Sequence, residues 1–311
     1  MLQQAPSLTS ALRAAFERHA GRTALLCEDA ATSYAELAAR VDRFARALRD
    51  WGVARGEPVA LLVDRSADAV ALFFGVMQAG GCPCFLEPRL SAAEIGQRLA
   101  AVGVRRLVLQ PTEIGDAALL ETAVSLQTVE GLLIPKAGPD AEVAPLAPLA
   151  HSDRSMMQFT SGSTGQPKGV LLSHGNLLAN AAGVLAHTGV TPDDRLLHLM
   201  PLHHTNGVNN QLIVPLLAGA SVVLVDRFRA ERIAAQVAHH RPTYLTGVPT
   251  MFARMLPHLS DNAANRAALA SLRFLRCGSA PITRALHTEV EAAFGVPLVV
   301  SYGLSEATCT T

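Results

Sequence analysis

Apolar residues along this chain recur in two rhythms that alternate. Leu37, Val41, Phe44 and Leu48 return at helical spacing behind a Ser33-x-x-Glu36 capping box, and Trp51-Gly52 ends the run. Pro58 to Val63 is a short continuous apolar stretch, the pattern of a strand buried on both faces. Ala67 to Ala79 predicts a helix and Cys82 to Leu86 a strand. Ser91 to Val102 predicts a helix opened by a second Ser-x-x-Glu box, and Arg106 to Gln110 another strand. Residues 135–153 hold four prolines and no period, which marks a connecting loop. Met156 to Phe159 and Val170 to Leu172 read as strands, and Asn176 to Ala186 as a helix.

A second series follows. Strands are predicted at Arg195–Met200, Ser221–Val225, Thr243–Thr246, Leu272–Arg276 and Pro297–Ser301. Helices are predicted between them at Asn206–Leu217, Ala230–His240, Pro249–Leu256 and Thr283–Phe294, with Pro249 in a first turn. Such alternation predicts the α/β class: two packed, doubly wound, mainly parallel sheets with helices on both faces. The division expected is one α/β subdomain over 52–195 and a second built from 1–51 with 196–311.

Composition narrows the function classes. Half of the 311 residues are apolar, about a sixth are charged, and the net charge is zero. A large buried core is expected, and a basic nucleic-acid face is not indicated. The most apolar window, Ala69 to Leu86, is interrupted by Gln78, Gly80-Gly81 and Pro83. It fits a buried helix running into a buried strand, not a membrane span. The start lacks the basic and apolar regions of a signal peptide, so cytoplasm is the expected compartment. Five scattered cysteines, with only Cys82-Pro-Cys84 close together, read as core thiols and not a zinc site.

The candidate chemistry centres on Phe159-Thr-Ser-Gly-Ser-Thr-Gly-Gln-Pro-Lys-Gly169. Its glycines leave backbone N–H groups free, its hydroxyls donate, and Lys168 adds a compact positive charge. That inventory suits a polyanion, with a nucleotide triphosphate foremost. Only Lys136 and Lys168 occur in the chain, so a lysine here stands out. The spacing is not that of a Walker A loop: the fifth residue after Gly162 is Pro167, after Gly165 it is Val170, and Lys168 is followed by Gly169. Two further segments leave predicted strands: Cys277-Gly-Ser-Ala-Pro281 and Ser301-Tyr-Gly-Leu-Ser-Glu306. Ligands of doubly wound sheets bind beyond the carboxyl ends of strands. There Tyr302 offers a flat face, Ser305 a hydroxyl and Glu306 a hard oxygen for Mg²⁺.

Together these segments resemble the adenylate-forming superfamily of acyl- and aryl-CoA ligases, luciferases and peptide-synthetase adenylation domains. Phe159–Gly169 is similar to its phosphate loop, Gly278–Pro281 to its adenine-side strand end, and Ser301–Glu306 to its Tyr-Gly-x-Ser/Thr-Glu motif. Thr32–Leu37 and Gly80–Pro88 resemble its upstream motifs, so the likeness spans nearly the whole chain.

The resemblance implies activation of a carboxylic acid by Mg·ATP to an acyl-adenylate with release of pyrophosphate, then capture by a thiol, coenzyme A foremost. It implies that Thr160, Ser161, Gly162, Ser163, Thr164, Gly165 and Lys168 hold the β/γ-phosphates. Gly278, Ser279, Ala280, Pro281, Ser301, Tyr302 and Gly303 would frame the nucleotide. Ser305 would meet the α-phosphate, and Glu306 with Thr160 would position Mg²⁺.

Pro201–Gly207 resembles the segment bordering the acid, with His204 at the position of the gating histidine. Asn206, Gly207, Thr246 and Gly247 are the other pocket candidates. Asn209, Asn210 and Gln211 either line that pocket or face water. Nothing anionic lies between Met200 and Val225 to pair a substrate ammonium, so an organic acid is expected over an amino acid.

The family's C-terminal lid, with its carboxylate-activating lysine, has no counterpart in these residues. An N-terminal portion with little synthetase activity is therefore expected. A catalytically silent nucleotide-binding module and an enzyme loading a carrier-protein thiol are the alternatives. A phosphotransferase is disfavoured by the Walker A mismatch.

Overall fold

The computed structural model describes residues 4–110, 126–129, 132–135, 146–161, 167–259 and 263–310. The elements run α1 (Leu8–Arg18), β1 (Thr23–Cys27), β2 (Ala30–Ser33), α2 (Tyr34–Asp50), β3 (Pro58–Leu62), α3 (Ala67–Gln78), β4 (Cys82–Phe85), α4 (Ala92–Ala101), β5 (Arg106–Leu109), β6 (Leu126–Val129) and β7 (Leu132–Pro135). They continue with β8 (Arg154–Ser161), β9 (Pro167–Ser173), α5 (His174–Thr188), β10 (Arg195–His198) and α6 (Thr205–Val208). A π-helical turn (Asn209–Ile213) joins α6 to α7 (Val214–Ala218), followed by β11 (Ser221–Leu224), α8 (Ile233–His240) and β12 (Tyr244–Gly247). The last are α9 (Pro249–Met255), α10 (Ala263–Leu269), β13 (Phe274–Cys277), α11 (Arg284–Phe294) and β14 (Leu298–Val300).

Two compact units emerge: Met1–Ala20 with Tyr34–Ala179, and Gly21–Ser33 with Asn180–Thr311. These bounds differ from the expected 52–195. Helix α2 belongs with the first unit because it packs on α3. The approach is so close that a Cβ on Gly75 would lie 2.6 Å from that of Phe44. Only hydrogen fits there.

The first unit holds a sheet in the order β4-β3-β5-β7-β6. Strand β3 runs parallel to β4 and β5, and β7 is antiparallel to both β5 and β6. The Ser91-x-x-Glu94 box caps α4 as its spacing predicts, with the Ser91 N–H donating to Glu94 Oε2 at 2.8 Å. Cys82 and Cys84 are buried free thiols on β4, in keeping with core residues. The window 69–86 becomes α3 and β4, and among the described residues no helix is long and apolar enough to cross a membrane.

Strands β8 and β9 form their own antiparallel ladder apart from the parallel sheet. The physical reason is the short connection between them, which allows a hairpin but not a parallel crossover.

The second unit is a seven-stranded sheet in the order β14-β13-β12-β10-β11-β1-β2. All neighbours are parallel except the β1–β2 hairpin at the edge. Leu197, Val223, Leu245, Leu275 and Cys277 point to one face, where they pack with Ile233, Val237, Phe252, Val290 and Phe294 of the helices. Residues of opposite parity, such as Tyr244 and Phe274, point to the other face and stack at 4.9 Å.

Below the sheet's entry edge, buried Asp194 accepts from Arg273 Nη2 at 2.8 Å and from Thr243 Oγ1 at 2.6 Å. Burial alone would raise its pKa. Hydrogen bonds from Thr243, the Thr191 N–H and Arg273 outweigh it and hold the carboxyl below its ordinary range.

Candidate functional site

In the second unit the strand order reverses at β10: the chain passes to β11 on one side and then to β12 on the other. The crevice beyond the carboxyl ends of strands at such a reversal is the ligand position of open α/β sheets. The segments leaving β10, β12, β13 and β14 there are 199–207, Gly247, 278–281 and 301–306. Every candidate predicted in this unit therefore lies at one end of one sheet. Topology brings together residues a hundred positions apart.

Side-chain hydrogen bonds join these segments. Thr205 Oγ1 and Ser305 Oγ are hydrogen-bonded to each other at 2.9 Å. Asn206 Nδ2 reaches Ser279 Oγ at 3.5 Å, and Asn210 Nδ2 donates to Asn206 Oδ1 at 3.0 Å. Asn210 also reaches Cys309 Sγ and Thr310 Oγ1, while Asn209 Nδ2 donates to the Thr308 carbonyl. Gln211 Oε1 accepts from the Leu199 N–H at 3.1 Å, and Gln211 Nε2 reaches the Thr246 carbonyl at 3.4 Å.

Asn206, Asn209, Asn210 and Gln211 are thus all buried and hydrogen-bonded inside the unit, and none faces water. A π turn at Asn209–Ile213 carries Asn209, Asn210 and Gln211.

Gly207 is sterically required. A Cβ there would stand 2.1 Å from the Pro201 carbonyl oxygen. His198 Nε2 lies 2.9 Å from the Gly207 carbonyl and fixes that turn from below. His204 is the N-cap of α6 and is exposed, with its ring 4.5 Å from that of His203. Thr246 is buried with its hydroxyl unpartnered, and Gly247 ends β12.

Around the β13 and β14 ends, Gly278 is buried, and a Cβ on it would meet Ser301 Oγ at 2.7 Å. Ser279 holds a positive φ of 66°, and with Ala280 and Pro281 it forms an exposed rim of small residues. The Ser301 N–H donates to the Cys277 carbonyl, which locks the two strand ends together. Gly303 has no room for a side chain, since a Cβ would lie 1.5 Å from the Cys309 carbonyl oxygen.

Tyr302 is 75% exposed, and Val300 and Leu304 to either side of it are exposed as well. Glu306 lies in a 3₁₀ turn (Ser305–Ala307) and is exposed. Among the described residues no cluster of three or more His, Cys, Asp or Glu could hold a metal. A lone carboxylate fits a Mg²⁺ that arrives on phosphates and does not suffice for a resident ion.

In the first unit, β8 and β9 present the phosphate-loop candidates. Thr160 pairs with Lys168 and Phe159 with Gly169, so the hydroxyl and the ammonium project from one face of the ladder. Lys168 is exposed. Ser161 ends β8, and Gly162, Ser163, Thr164 and Gly165 lie outside the described residues.

Sequence reasoning missed Arg276, Thr308, Cys309 and Thr310. Arg276 is the largest fully buried side chain, 2% exposed, and burial holds its guanidinium pKa below the ordinary value. Burial likewise pushes the Cys309 thiol up to about 11. An arginine inside an apolar strand run was the signal available for the first. The other three lie beyond the last recognisable motif.

A profile of the AMP-binding enzyme family matches residues 12–311. The chain is 34% identical over 297 residues to a feruloyl-CoA synthase from Amycolatopsis sp, covering 95% of this chain and 58% of that protein. It is 33% identical to an indoleacetate–CoA ligase from Aromatoleum aromaticum, covering 94% of this chain and 59% of the other. Among solved structures, ATP-bound MatB from Rhodopseudomonas palustris superposes with a TM-score of 0.79 at 27% identity, over 96% of this chain and 61% of that one. The chain thus spans less than two thirds of each of these relatives. With the three motifs at the strand ends and the β8–β9 hairpin where the family's phosphate loop would fall, the chain belongs to the AMP-binding enzyme family.

Proposed function

We propose that this chain binds Mg·ATP and an organic carboxylic acid, as the adenylating portion of an AMP-forming acid–CoA ligase. The observation that carries the reading is the joined set of hydroxyls and amides at four strand ends, beside an exposed Tyr302. Kinship with ligases of feruloyl and indoleacetate substrates supports an acyl or aryl acid and coenzyme A as the thiol acceptor.

In this reading an acid oxygen attacks the α-phosphorus and pyrophosphate leaves, giving acyl-AMP. A thiol then attacks the acyl carbon and AMP departs. Charge builds on the five-coordinate phosphorus and on the leaving pyrophosphate, and preorganised donors lower that cost. Lys168, the hydroxyls of Thr160, Ser161, Ser163 and Thr164, and the loop N–H groups with Gly162 and Gly165 take the β/γ-phosphate charge. Tyr302 stacks on the base against the small rim Gly278–Pro281, and Ser301 and Gly303 hold that wall. Ser305, oriented by Thr205, meets the α-phosphate. Glu306 and Thr160 supply oxygens to Mg²⁺, which when bound offsets phosphate charge. His204, Asn206, Gly207, Thr246 and Gly247 border the acid.

Calorimetry with Mg·ATP, and acid-dependent exchange of pyrophosphate into ATP, test the reading. Binding of Mg·ATP that weakens tenfold or more in Lys168→Ala supports it. A folded chain that takes up no Mg·ATP refutes it.

A further inference from the structure

Among the described residues, Arg276 is a cation with no carboxylate partner. It is the penultimate residue of β13, in register with Thr246 of β12 and Val299 of β14. Its neighbours Leu275 and Cys277 point into the helix-covered core. Arg276 itself therefore shares the opposite face with Tyr244, Thr246 and Phe274. Its Nε and Nη2 atoms are buried with no hydrogen-bond partner. The ionisable groups acting on it are the Cys309 thiol and the Tyr244 phenol, both held neutral by burial, with pKa values raised to about 11 and to above the ordinary phenol range. No carboxylate is paired with it among the described residues.

A buried guanidinium is retained when an anion or several acceptors satisfy it. Neighbouring elements carry unsatisfied oxygens, two amide acceptors and one hydroxyl. Asn209 Oδ1, Asn210 Oδ1 and the Thr246 hydroxyl are also buried without partners. They lie on the helical run and strand end that border the proposed acid site. Even the half-buried Arg106 is satisfied, by the Trp51 and Gly52 carbonyls and by Glu57. Arg276 stands apart from that pattern, at the carboxyl end of β13, the end at which ligands enter open α/β sheets.

We infer that Arg276 is a specificity-determining residue that pairs with a second anionic group on the acid, so that the substrate is a dianion such as a dicarboxylate. The inference rests on the proposed adenylating function and names its substrate class. The reacting carboxylate stays at the Gly207 and Thr246 side, and the distal carboxylate forms two N–H···O bonds to the guanidinium fork. The same cation disfavours an amino acid by repelling its ammonium.

The test is calorimetric binding, in the presence of a non-hydrolysable ATP analogue, of glutarate, adipate and terephthalate, each against its monomethyl ester. ATP-analogue binding is measured first, so that failure of the nucleotide reading is seen separately and overturns both. With that binding intact, at least one diacid is expected to bind tenfold or more tighter than its monoester. Arg276→Met should reduce this preference to within twofold while ATP-analogue affinity stays unchanged, and Arg276→Lys should retain part of it. Equal binding of diacid and monoester by the unmodified chain, no diacid binding at all, or a preference that survives in Arg276→Met overturns the inference. The first two outcomes need no variant and so do not depend on its folding.

Discussion

His174 makes the stability of the first unit depend on mild acid. The imidazole is fully buried at the start of α5, and both ring nitrogens lack hydrogen-bond partners. Burial pushes its pKa from the ordinary 6.5 down to about 4; Asp153 opposes the shift, while Arg55 and His151 add to it. The folded state thus refuses a proton that the unfolded chain accepts. Stability from this group is whole above pH 6.5 and is lost as pH falls towards 4.

At about 1.36 kcal/mol per pKa unit the full loss is roughly 3 kcal/mol, and at pH 5 it is about 2 kcal/mol. Asp153, held below the ordinary carboxylate range chiefly by its hydrogen bond from Arg55, stays ionised through this window. The His240 pKa is also lowered by burial, but that residue contributes equally to a variant at position 174.

The assay is urea unfolding at pH 7.5 and pH 5.0, followed by the fluorescence of Trp51, the single tryptophan, which lies in the same unit. The unmodified chain should lose about 2 kcal/mol more than His174→Gln between the two pH values. Equal losses in both proteins, or an NMR titration of His174 near 6.5, would refute the reasoning.

Gly207→Ala should cost about 3 kcal/mol, because a Cβ 2.1 Å from the Pro201 carbonyl forces the turn apart; the urea midpoint reports it. Asp194→Asn should cost about 2 kcal/mol, read from the same melts, by weakening the charge-assisted bonds to Arg273 and Thr243. Tyr302→Ala should leave the melt within about 0.5 kcal/mol, since the ring is exposed, yet weaken Mg·ATP binding about tenfold or more in calorimetry. Glu306→Gln should weaken Mg·ATP more than metal-free ATP, and equal effects on both would count against its role at the ion.

Much of the strand–helix alternation was legible because it rests on local physics. The Ser91-x-x-Glu94 box, the run Pro58–Val63 and the window Ala69–Leu86 each became the element expected. The first helix was not read: its capping box uses Ser10 where an acid is the stronger signal. The hairpin β1–β2 was not read either, since its short strands gain their stability from pairing with β11. At the site, Ser279, Tyr302 and Ser305 were legible as motifs beyond strands. The burial of Asn209 and Asn210 was not, because a π turn breaks the 3.6-residue period from which a face is judged.

The placement of β1 bears on how the polypeptide emerges from a ribosome. Leu25 pairs with Val222, so the edge of the second sheet closes only after nearly two hundred intervening residues exist. Meanwhile the chain has left the first unit at Ala20 and returned to it at Tyr34. The hairpin at 23–33 must therefore wait, with the far edge of β1 open, while everything up to β11 is synthesised. Closure of so long a loop is slow, and an exposed edge in the interval invites mispairing. Charged or chaperone-shielded nascent chains should escape this, and pausing of translation before Ser221 should lower the soluble yield.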